Sequence, residues 1–118
     1  MADIITASEL KQTLDQFVVI DVREQDELAN GTIDGSTHMP LGLAIRNVKQ
    51  GKIDDLKEKT ICTFCASGYR ANIAADELAK AGFDVKNLEG GFMAWQSMLA
   101  MLNDYIIINN LNEKYNHG

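Results

Sequence analysis

Short apolar runs separate longer amphipathic stretches along this chain. The runs at residues 17–22 and 60–64 are rich in β-branched and other apolar side chains, which is typical of strands covered on both faces in a parallel sheet. Shorter or more polar segments of the same kind precede and follow them. Strands or extended segments are therefore predicted at residues 4–5, 17–22, 36–40, 60–64 and 84–88.

The stretches between these runs have helical composition or spacing. Residues 71–80 carry alanines and Leu78 at helical spacing, and Thr6 with Glu9 forms a capping-box start for an earlier helix. Helical segments are predicted at residues 6–14, 23–29, 41–48, 53–59, 71–80 and 92–103. Regular alternation of strand and helix predicts an α/β fold with a parallel sheet, in which ligands bind beyond the carboxyl ends of the strands.

The composition fits one domain and narrows the classes of partner. The chain has 118 residues, 46% of them hydrophobic, and its 11 basic and 17 acidic side chains give a net charge of -6. This charge argues against nucleic acid or an anionic membrane as the main partner. The start of the sequence lacks the features of a signal peptide, and its longest apolar run, 98–102, is far shorter than the ~18 residues of a membrane span. A reducing, cytoplasmic location is therefore expected.

Cys65 is the residue whose position in the chain most clearly suggests chemical reactivity. It follows the 60–64 strand, opens a tight loop and precedes the helix that begins as the loop ends. The free N–H groups and positive dipole end of that helix should point into the loop, and Arg70 supplies a nearby cation. The Cys65 thiol is therefore predicted to ionise more easily than a free cysteine and to act as a nucleophile.

Three segments of the chain resemble the signatures of rhodanese-type sulfurtransferase domains, and they occur in the order and with the spacing found in that family. The middle one contains Cys65 and resembles the active-site loop of that family. The first signature corresponds to residues 21–24 with Glu27, 31–36 and 39–41, the active-site loop to 64–71, and the closing motif to 88–95. The resemblance implies a three-layer α/β/α fold around a central, mostly parallel five-stranded sheet.

The resemblance also implies a reaction and its residues. Cys65 would be the catalytic residue that carries a persulfide, and the backbone N–H groups of residues 66–70 would cradle that sulfur and the donor's oxyanion. Arg70 is suited to hold the sulfonate oxygens of thiosulfate. Sulfane sulfur would pass from such a donor to cyanide or to a thiol acceptor, such as a thioredoxin-like protein, with no metal or organic cofactor. The predicted substrate-binding residues are Ala66, Ser67, Gly68, Tyr69 and Arg70.

Two other functions stay open. Rhodanese-like domains also serve as sulfur carriers or regulatory binding modules with little turnover, although the intact Cys65 and Arg70 argue against an inactive module. Cysteine-dependent phosphatases of related architecture place five residues between cysteine and arginine. Here four residues, 66–69, separate them. The shorter loop favours a sulfur atom over a phosphate, so a phosphatase is the weaker enzyme hypothesis.

Other chemically suggestive residues are predicted to be structural. Cys62 lies within a strand, where its spacing to Cys65 does not suit a disulfide, and is expected in the core. His38 and His117 lack metal-ligand spacing to either cysteine, so no zinc site is predicted. Asp21 is expected to form an ion pair or anchor a turn. Ser67 is expected either to donate a hydrogen bond to the bound sulfur or to cap the helix, and Tyr69 is expected to line the pocket mouth. Gly90-Gly91 is expected to form a turn, and Trp95 to lie in the core.

The sequence departs from the family pattern at two turn positions and at its C-terminal end. Thr32 and Asp34 replace the usual histidine and proline, in a turn that is distant from Cys65 in sequence. Residues 1–104 are predicted to form the rhodanese-like domain and 105–118 an extension. The apolar run Tyr105–Ile108 is expected either to cover a groove of the domain or to form a homodimer contact.

Overall fold

Five parallel strands form a single sheet at the centre of the molecule. The computed structural model describes residues 2–116, and its strands lie in the order β1-β5-β4-β2-β3 with every pairing parallel. The strands are β1 (Asp3–Ile5), β2 (Phe17–Asp21), β3 (Thr37–His38), β4 (Thr60–Phe64) and β5 (Asp84–Leu88). The predicted α/β fold with a parallel sheet is confirmed, and β4 lies in its middle.

Four α-helices cover the two faces of the sheet. They are α1 (Ala7–Gln12), α2 (Leu41–Lys49), α3 (Tyr69–Lys80) and α4 (Gly91–Asn116), with 3-10 helices at Leu14–Gln16, Gln25–Asn30 and Asp54–Glu58. Helices α2 and α3 pack together over one face, and α1 packs with the first half of α4 over the other. Apolar side chains fill both interfaces, so the protein has the three-layer α/β/α arrangement.

Local signals placed most of the helices correctly. Thr6 and Glu9 form the predicted capping box of α1, with each side chain accepting from the other residue's backbone N–H. The predicted alanine stripe of α3 is buried together with Leu78. Residues 23–29 were expected to be helical, and the structure has a 3-10 helix at Gln25–Asn30 that ends at Gly31 with φ +102°.

The last helix is much longer than predicted. It continues past the expected end near Asn103 as far as Asn116, because residues 92–116 contain neither glycine nor proline to terminate it. Its second half leaves the domain, so that the molecule as a whole measures 65 × 29 × 22 Å along its principal axes. Within residues 2–116, no helix, α4 included, combines the length and apolarity needed to cross a membrane.

The apolar run in this extension does not cover a groove of the domain. Residues 105–115 are all exposed, and the isoleucines at 106, 107 and 108 are each more than half accessible to solvent. That half of the expectation for the extension is therefore wrong. The other half, a contact with a second copy, stays a prediction.

Candidate active site

Cys65 lies directly beyond the carboxyl end of the central strand. The residue is 1% exposed, and its Sγ accepts the backbone N–H of Gly68 at 3.1 Å and that of Ala71 at 3.4 Å. These two donors stand on either side of Tyr69, where α3 begins. The sulfur therefore faces the positive end of the helix dipole and two oriented amides, an arrangement that stabilises negative charge on sulfur.

The loop also contains backbone N–H groups that have no partner within the protein. Gly68 has φ +112°, a left-handed conformation that makes the tight turn from the loop into α3. In the part of the chain that the structure describes, the N–H groups of Ala66, Ser67, Tyr69 and Arg70 have no hydrogen-bond acceptor. The loop can therefore donate hydrogen bonds to an anion bound next to Cys65. The amide of Ala71 is an additional donor that the sequence did not indicate.

The start of α4 binds the Cys65 loop through backbone hydrogen bonds. Phe92 N–H donates to the Cys65 carbonyl oxygen at 2.7 Å, and Met93 N–H donates to that of Ala66 at 3.1 Å. A Cβ atom on Gly91, whose φ is +61°, would lie 2.5 Å and 2.7 Å from these two oxygens. The second glycine of Gly90-Gly91 is thus required for close approach to the loop, a role beyond the simple turn that was predicted.

Two buried polar side chains on neighbouring strands support the other end of the loop. Asn87 on β5 donates from Nδ2 to the Gly68 carbonyl at 3.2 Å. Thr63 on β4 donates from Oγ1 to the Ala71 carbonyl at 3.1 Å and lies 3.2 Å from Asn87 Oδ1. Sequence reasoning missed both residues, and a usable signal existed only for Thr63, a polar side chain within the mostly apolar 60–64 run.

Arg70 forms a bidentate ion pair with Glu27. Its Nη1 and Nη2 lie 2.6 Å and 2.7 Å from Glu27 Oε2 and Oε1, and about a third of each side chain is exposed. The hydrogen bond from Arg70 and that from the backbone N–H of Glu24 lower the pKa of Glu27 to about 2. The same Glu27 hydrogen bond raises the pKa of Arg70, with a smaller contribution from Cys65. The cation predicted to hold a donor's oxygens is thus already engaged by a carboxylate.

A second ion pair is buried beneath the first. Asp21 is fully buried and accepts hydrogen bonds from the Arg23 guanidinium, the shortest at 2.7 Å, and from Thr32 Oγ1 at 2.8 Å. Burial alone would raise the pKa of Asp21, but the hydrogen bonds from Arg23 and Thr32 lower it. Arg23 also stacks over the Phe92 ring, 4.5 Å from its centroid. The predicted ion-pair role of Asp21 agrees with this geometry.

A cavity of about 570 Å³ opens beside the Cys65 loop. It lies between the 3-10 helix at Gln25–Asn30 and the first turn of α4, with Arg23, Glu27, Ala66 and Met93 in its walls. Charged and apolar side chains both line this cavity, which suits a small ligand or the end of a protein side chain.

The two cysteines lie on opposite faces of the sheet. Cys65 belongs to the core beneath α2 and α3, whereas Cys62 packs in the core beneath α1 and α4. Both are free thiols, and burial raises the pKa of Cys62 to about 12. Cys62 therefore stays protonated and apolar, as expected of a core residue.

The structure also locates the remaining predicted residues. Ser67 does not cap α3, because the N-cap residue is Gly68 and the helix start has no side-chain capping hydrogen bond. Tyr69 is 77% exposed at the rim of the loop. His38 Nε2 lies 2.7 Å from the Arg23 carbonyl, and His117 lies outside the described residues. Among residues 2–116, no three His, Cys, Asp or Glu side chains cluster as metal ligands would.

A family model named rhodanese-like domain matches residues 6–98. The chain belongs to the rhodanese-like family. Among its relatives is the Bacillus subtilis protein YtwF, named provisionally as a sulfurtransferase, which is 33% identical over 96 residues covering 78% of this chain and 88% of that protein. Both the fold and the order of the sequence motifs agree with this membership.

Solved structures of the family share the same architecture. A rhodanese-related protein from Thermoplasma volcanium superposes with a TM-score of 0.71 at 28% identity, covering 81% of this chain and 92% of that one. A Rhodopseudomonas palustris protein of unknown function, described as a possible tyrosine phosphatase, superposes with a TM-score of 0.73 at 26% identity, covering 82% and 81%. The rhodanese-like fold therefore carries more than one suggested activity, and the chemistry of this member must be argued from its own site.

Proposed function

We propose that this rhodanese-like protein transfers sulfane sulfur through a persulfide on Cys65. The observation that carries the proposal is the Cys65 sulfur at the start of α3 with amide donors at 3.1 and 3.4 Å. Those donors favour both the attacking thiolate and the anionic persulfide that replaces it. Further loop amides can bind the extra sulfur atom, which lies farther from the Cys65 backbone than Sγ does.

The first half-reaction transfers one sulfur atom from the donor. The Cys65 thiolate attacks the outer sulfur of thiosulfate, the sulfur–sulfur bond of the donor breaks, and its electron pair leaves with sulfite. Cys65 then carries a persulfide anion, so the total charge is the same before and after the step. No oxidant or reductant is consumed, and the preorganised amides stabilise the charge that develops on sulfur.

The second half-reaction returns Cys65 to its thiolate. Cyanide attacks the terminal sulfur of the persulfide and leaves as thiocyanate, or a thiolate acceptor takes the same sulfur and becomes a persulfide itself. The cavity of about 570 Å³ beside Ala66 has room for an acceptor larger than cyanide. A cysteine of a thioredoxin-like protein is the acceptor class that we propose.

Thiosulfate and cyanide test the catalytic proposal directly. We expect thiocyanate to form, an aryl phosphate to remain intact, and the Cys65→Ser variant to produce no thiocyanate while Cys62→Ser, which changes the buried thiol on the other face, retains activity. Phosphate release without thiocyanate would refute the sulfurtransferase assignment in favour of a phosphatase.

A sulfur carrier is distinguished from a turnover enzyme by the fate of the persulfide. Mass spectrometry after thiosulfate treatment should show one added sulfur atom, confined to the peptide that contains Cys65. If that adduct forms but cyanide and low-molecular-weight thiols do not discharge it, the domain acts as a carrier for a specific protein acceptor. Absence of the adduct contradicts both sulfur-transfer functions.

A further inference from the structure

The ion pair between Arg70 and Glu27 changes how the site handles anions. Arg70 lies at the end of the loop that begins with Cys65, and a free guanidinium there would attract a dianionic sulfur donor. Both of its terminal nitrogens instead bind Glu27, at 2.6 and 2.7 Å. A donor's oxyanion therefore meets a guanidinium whose charge is already balanced by a carboxylate of this chain.

Glu27 is held in this position by several contacts besides Arg70. Its Oε2 accepts the Glu24 backbone N–H at 2.8 Å, and its own backbone N–H donates to the Glu24 carbonyl oxygen at 3.0 Å. Its carbonyl oxygen accepts from Arg23 Nη1 at 3.2 Å. Because main chain and side chain are both fixed, the carboxylate is preorganised against Arg70 and withdrawing it from that position costs free energy.

The second arginine of the site is equally committed. Arg23 lines the cavity beside the loop, but its charge is matched by the fully buried Asp21 at 2.7 Å. Its Nη1 donates to the carbonyl oxygen of Glu27, and Nη2, which also pairs with Asp21, donates to that of Gly31. The two arginines that border the site in the described structure are therefore balanced by two carboxylates, and attraction of anions falls to the backbone amides.

We propose that Glu27 sets the charge selectivity of this sulfur-transfer site, so that it disfavours dianionic donors such as thiosulfate relative to donors with one negative charge or less. The proposal rests on the sulfur-transfer function of Cys65. Its physical basis is that the Glu27 carboxylate cancels the attraction of Arg70 for a donor, an attraction that would grow in proportion to the donor's negative charge. Donors that present one fewer charge, including persulfides of neutral thiols, lose less of that attraction.

Thiosulfate and methanethiosulfonate form a matched pair of probes. One oxygen anion of thiosulfate is replaced by a methyl group in methanethiosulfonate, so the two donors differ by one charge but present the same outer sulfur. Attack by Cys65 releases sulfite from the first and methanesulfinate from the second. The ratio of their kcat/KM values therefore measures charge selectivity with the sulfur-accepting group unchanged.

The Glu27→Gln variant removes the carboxylate charge while keeping its size and hydrogen-bonding groups. We expect kcat/KM for thiosulfate relative to methanethiosulfonate to rise about three- to tenfold, the change expected for one unit charge a few ångströms away when partial exposure to solvent keeps the dielectric close to that of water. The matched control is Glu24→Gln, which removes the same charge three residues earlier from an exposed side chain that does not touch Arg70. Its donor ratio should equal that of the wild type.

Each outcome bears on one claim. If neither donor loads Cys65 in the wild type, the proposed function fails. If both donors react and Glu27→Gln leaves their ratio unchanged, or Glu24→Gln raises it equally, only the role of Glu27 is overturned.

A measurement on the wild type covers the case in which Glu27→Gln does not fold. Because Arg70 is neutralised, added NaCl should not raise the KM for thiosulfate relative to that for methanethiosulfonate. A severalfold relative rise would show an unneutralised cation at the site and contradict the proposal.

Discussion

At the scale of single residues, this site relies on backbone amides for positive charge and uses its arginines for structure. Cys65 receives two N–H groups, while Arg23 and Arg70 each bind a carboxylate of the chain. Amides of a folded loop are fixed in place and do not need to reorganise when sulfur becomes anionic. A small thiol centre can thus be stabilised without a free cation that would also attract unrelated anions.

The buried pair of Asp21 and Arg23 should be the most sensitive ion pair to substitution. Asp21→Asn leaves the Arg23 charge buried without a compensating carboxylate, and we expect the free energy of unfolding to fall by about 3 kcal/mol or more. Asp26→Asn is the matched control, since Asp26 is exposed in the following segment and its replacement should change stability by less than about 0.5 kcal/mol. Urea denaturation measures both, and equal losses would contradict the assigned role of Asp21.

The Glu27–Arg70 pair predicts a pH dependence with a definite sign. Since the pKa of Glu27 falls from 4.5 to about 2 on folding, its ionised form stabilises the folded state fully above about pH 4.5 and loses this effect as pH falls through about 2. Partial exposure limits the contribution to about 1 kcal/mol. The difference in unfolding free energy between wild type and Glu27→Gln should therefore be largest at pH 7 and narrower at pH 3. An unchanged difference would disprove the linkage.

Residue-level prediction succeeded where the determinants are close in sequence. Cys65, Gly68 and the start of α3 are neighbours along the chain, so the turn towards the helix N-terminus could be inferred from the sequence. The partner of Arg70 could not, because Glu27 is 43 residues away and only the folded sheet brings the two segments together. The support from Asn87 to Gly68 was missed for the same reason.

At the scale of elements, the Cys65 loop is clamped between the starts of two helices. Helix α3 directs amides to the sulfur, whereas α4 donates its first N–H groups to the carbonyls of Cys65 and Ala66. The first N–H groups of α4, which have no acceptor within that helix, thus fix the loop that forms the proposed anion site at the start of α3. The Gly90-Gly91 motif is explained by this approach of α4 to the loop.

Substitution of Gly91 tests the clamp. In Gly91→Ala, the new Cβ would meet the Cys65 and Ala66 carbonyl oxygens at under 3 Å, so the loop must move, and we expect both reduced stability and slower sulfur transfer. Gly35→Ala is the control, because Gly35 also has positive φ but nothing lies within 4 Å of its Cβ position. It should cost only about 1–2 kcal/mol of backbone strain and leave transfer rates intact. Activity of Gly91→Ala equal to that of Gly35→Ala would contradict the clamp.

At the scale of the whole molecule, the domain has a buried apolar core, whereas the second half of α4 is exposed to solvent. The family match ends at residue 98, close to where α4 leaves the core at Met98. The sequence predicted the domain well because its apolar periodicity reports burial. It did not predict the helical extension, since a run of bulky isoleucines fits a strand or a helix equally and the choice depends on what lies around it.

The exposed half of α4 leads to a prediction about assembly. Residues 105–112 contain four consecutive bulky apolar side chains and no charged one, so two copies can lie against each other there without burying a charge. Consecutive exposed side chains of this size are normally covered, and we therefore expect the full chain to sediment as a homodimer that dissociates when Ile108 is replaced by lysine. The control is Ser97→Lys, which adds the same charge to an exposed polar position of the same helix outside residues 105–112.

The proposed contact should be separable from the rhodanese-like domain. Because residues 105–115 are exposed and lie outside both cores, a chain that stops after Asn103 should be monomeric yet keep its thermal midpoint and its rate of sulfur transfer. A full-length chain that sediments as a monomer would contradict the dimer. A truncated chain with a markedly lower midpoint would instead show that the extension stabilises the domain.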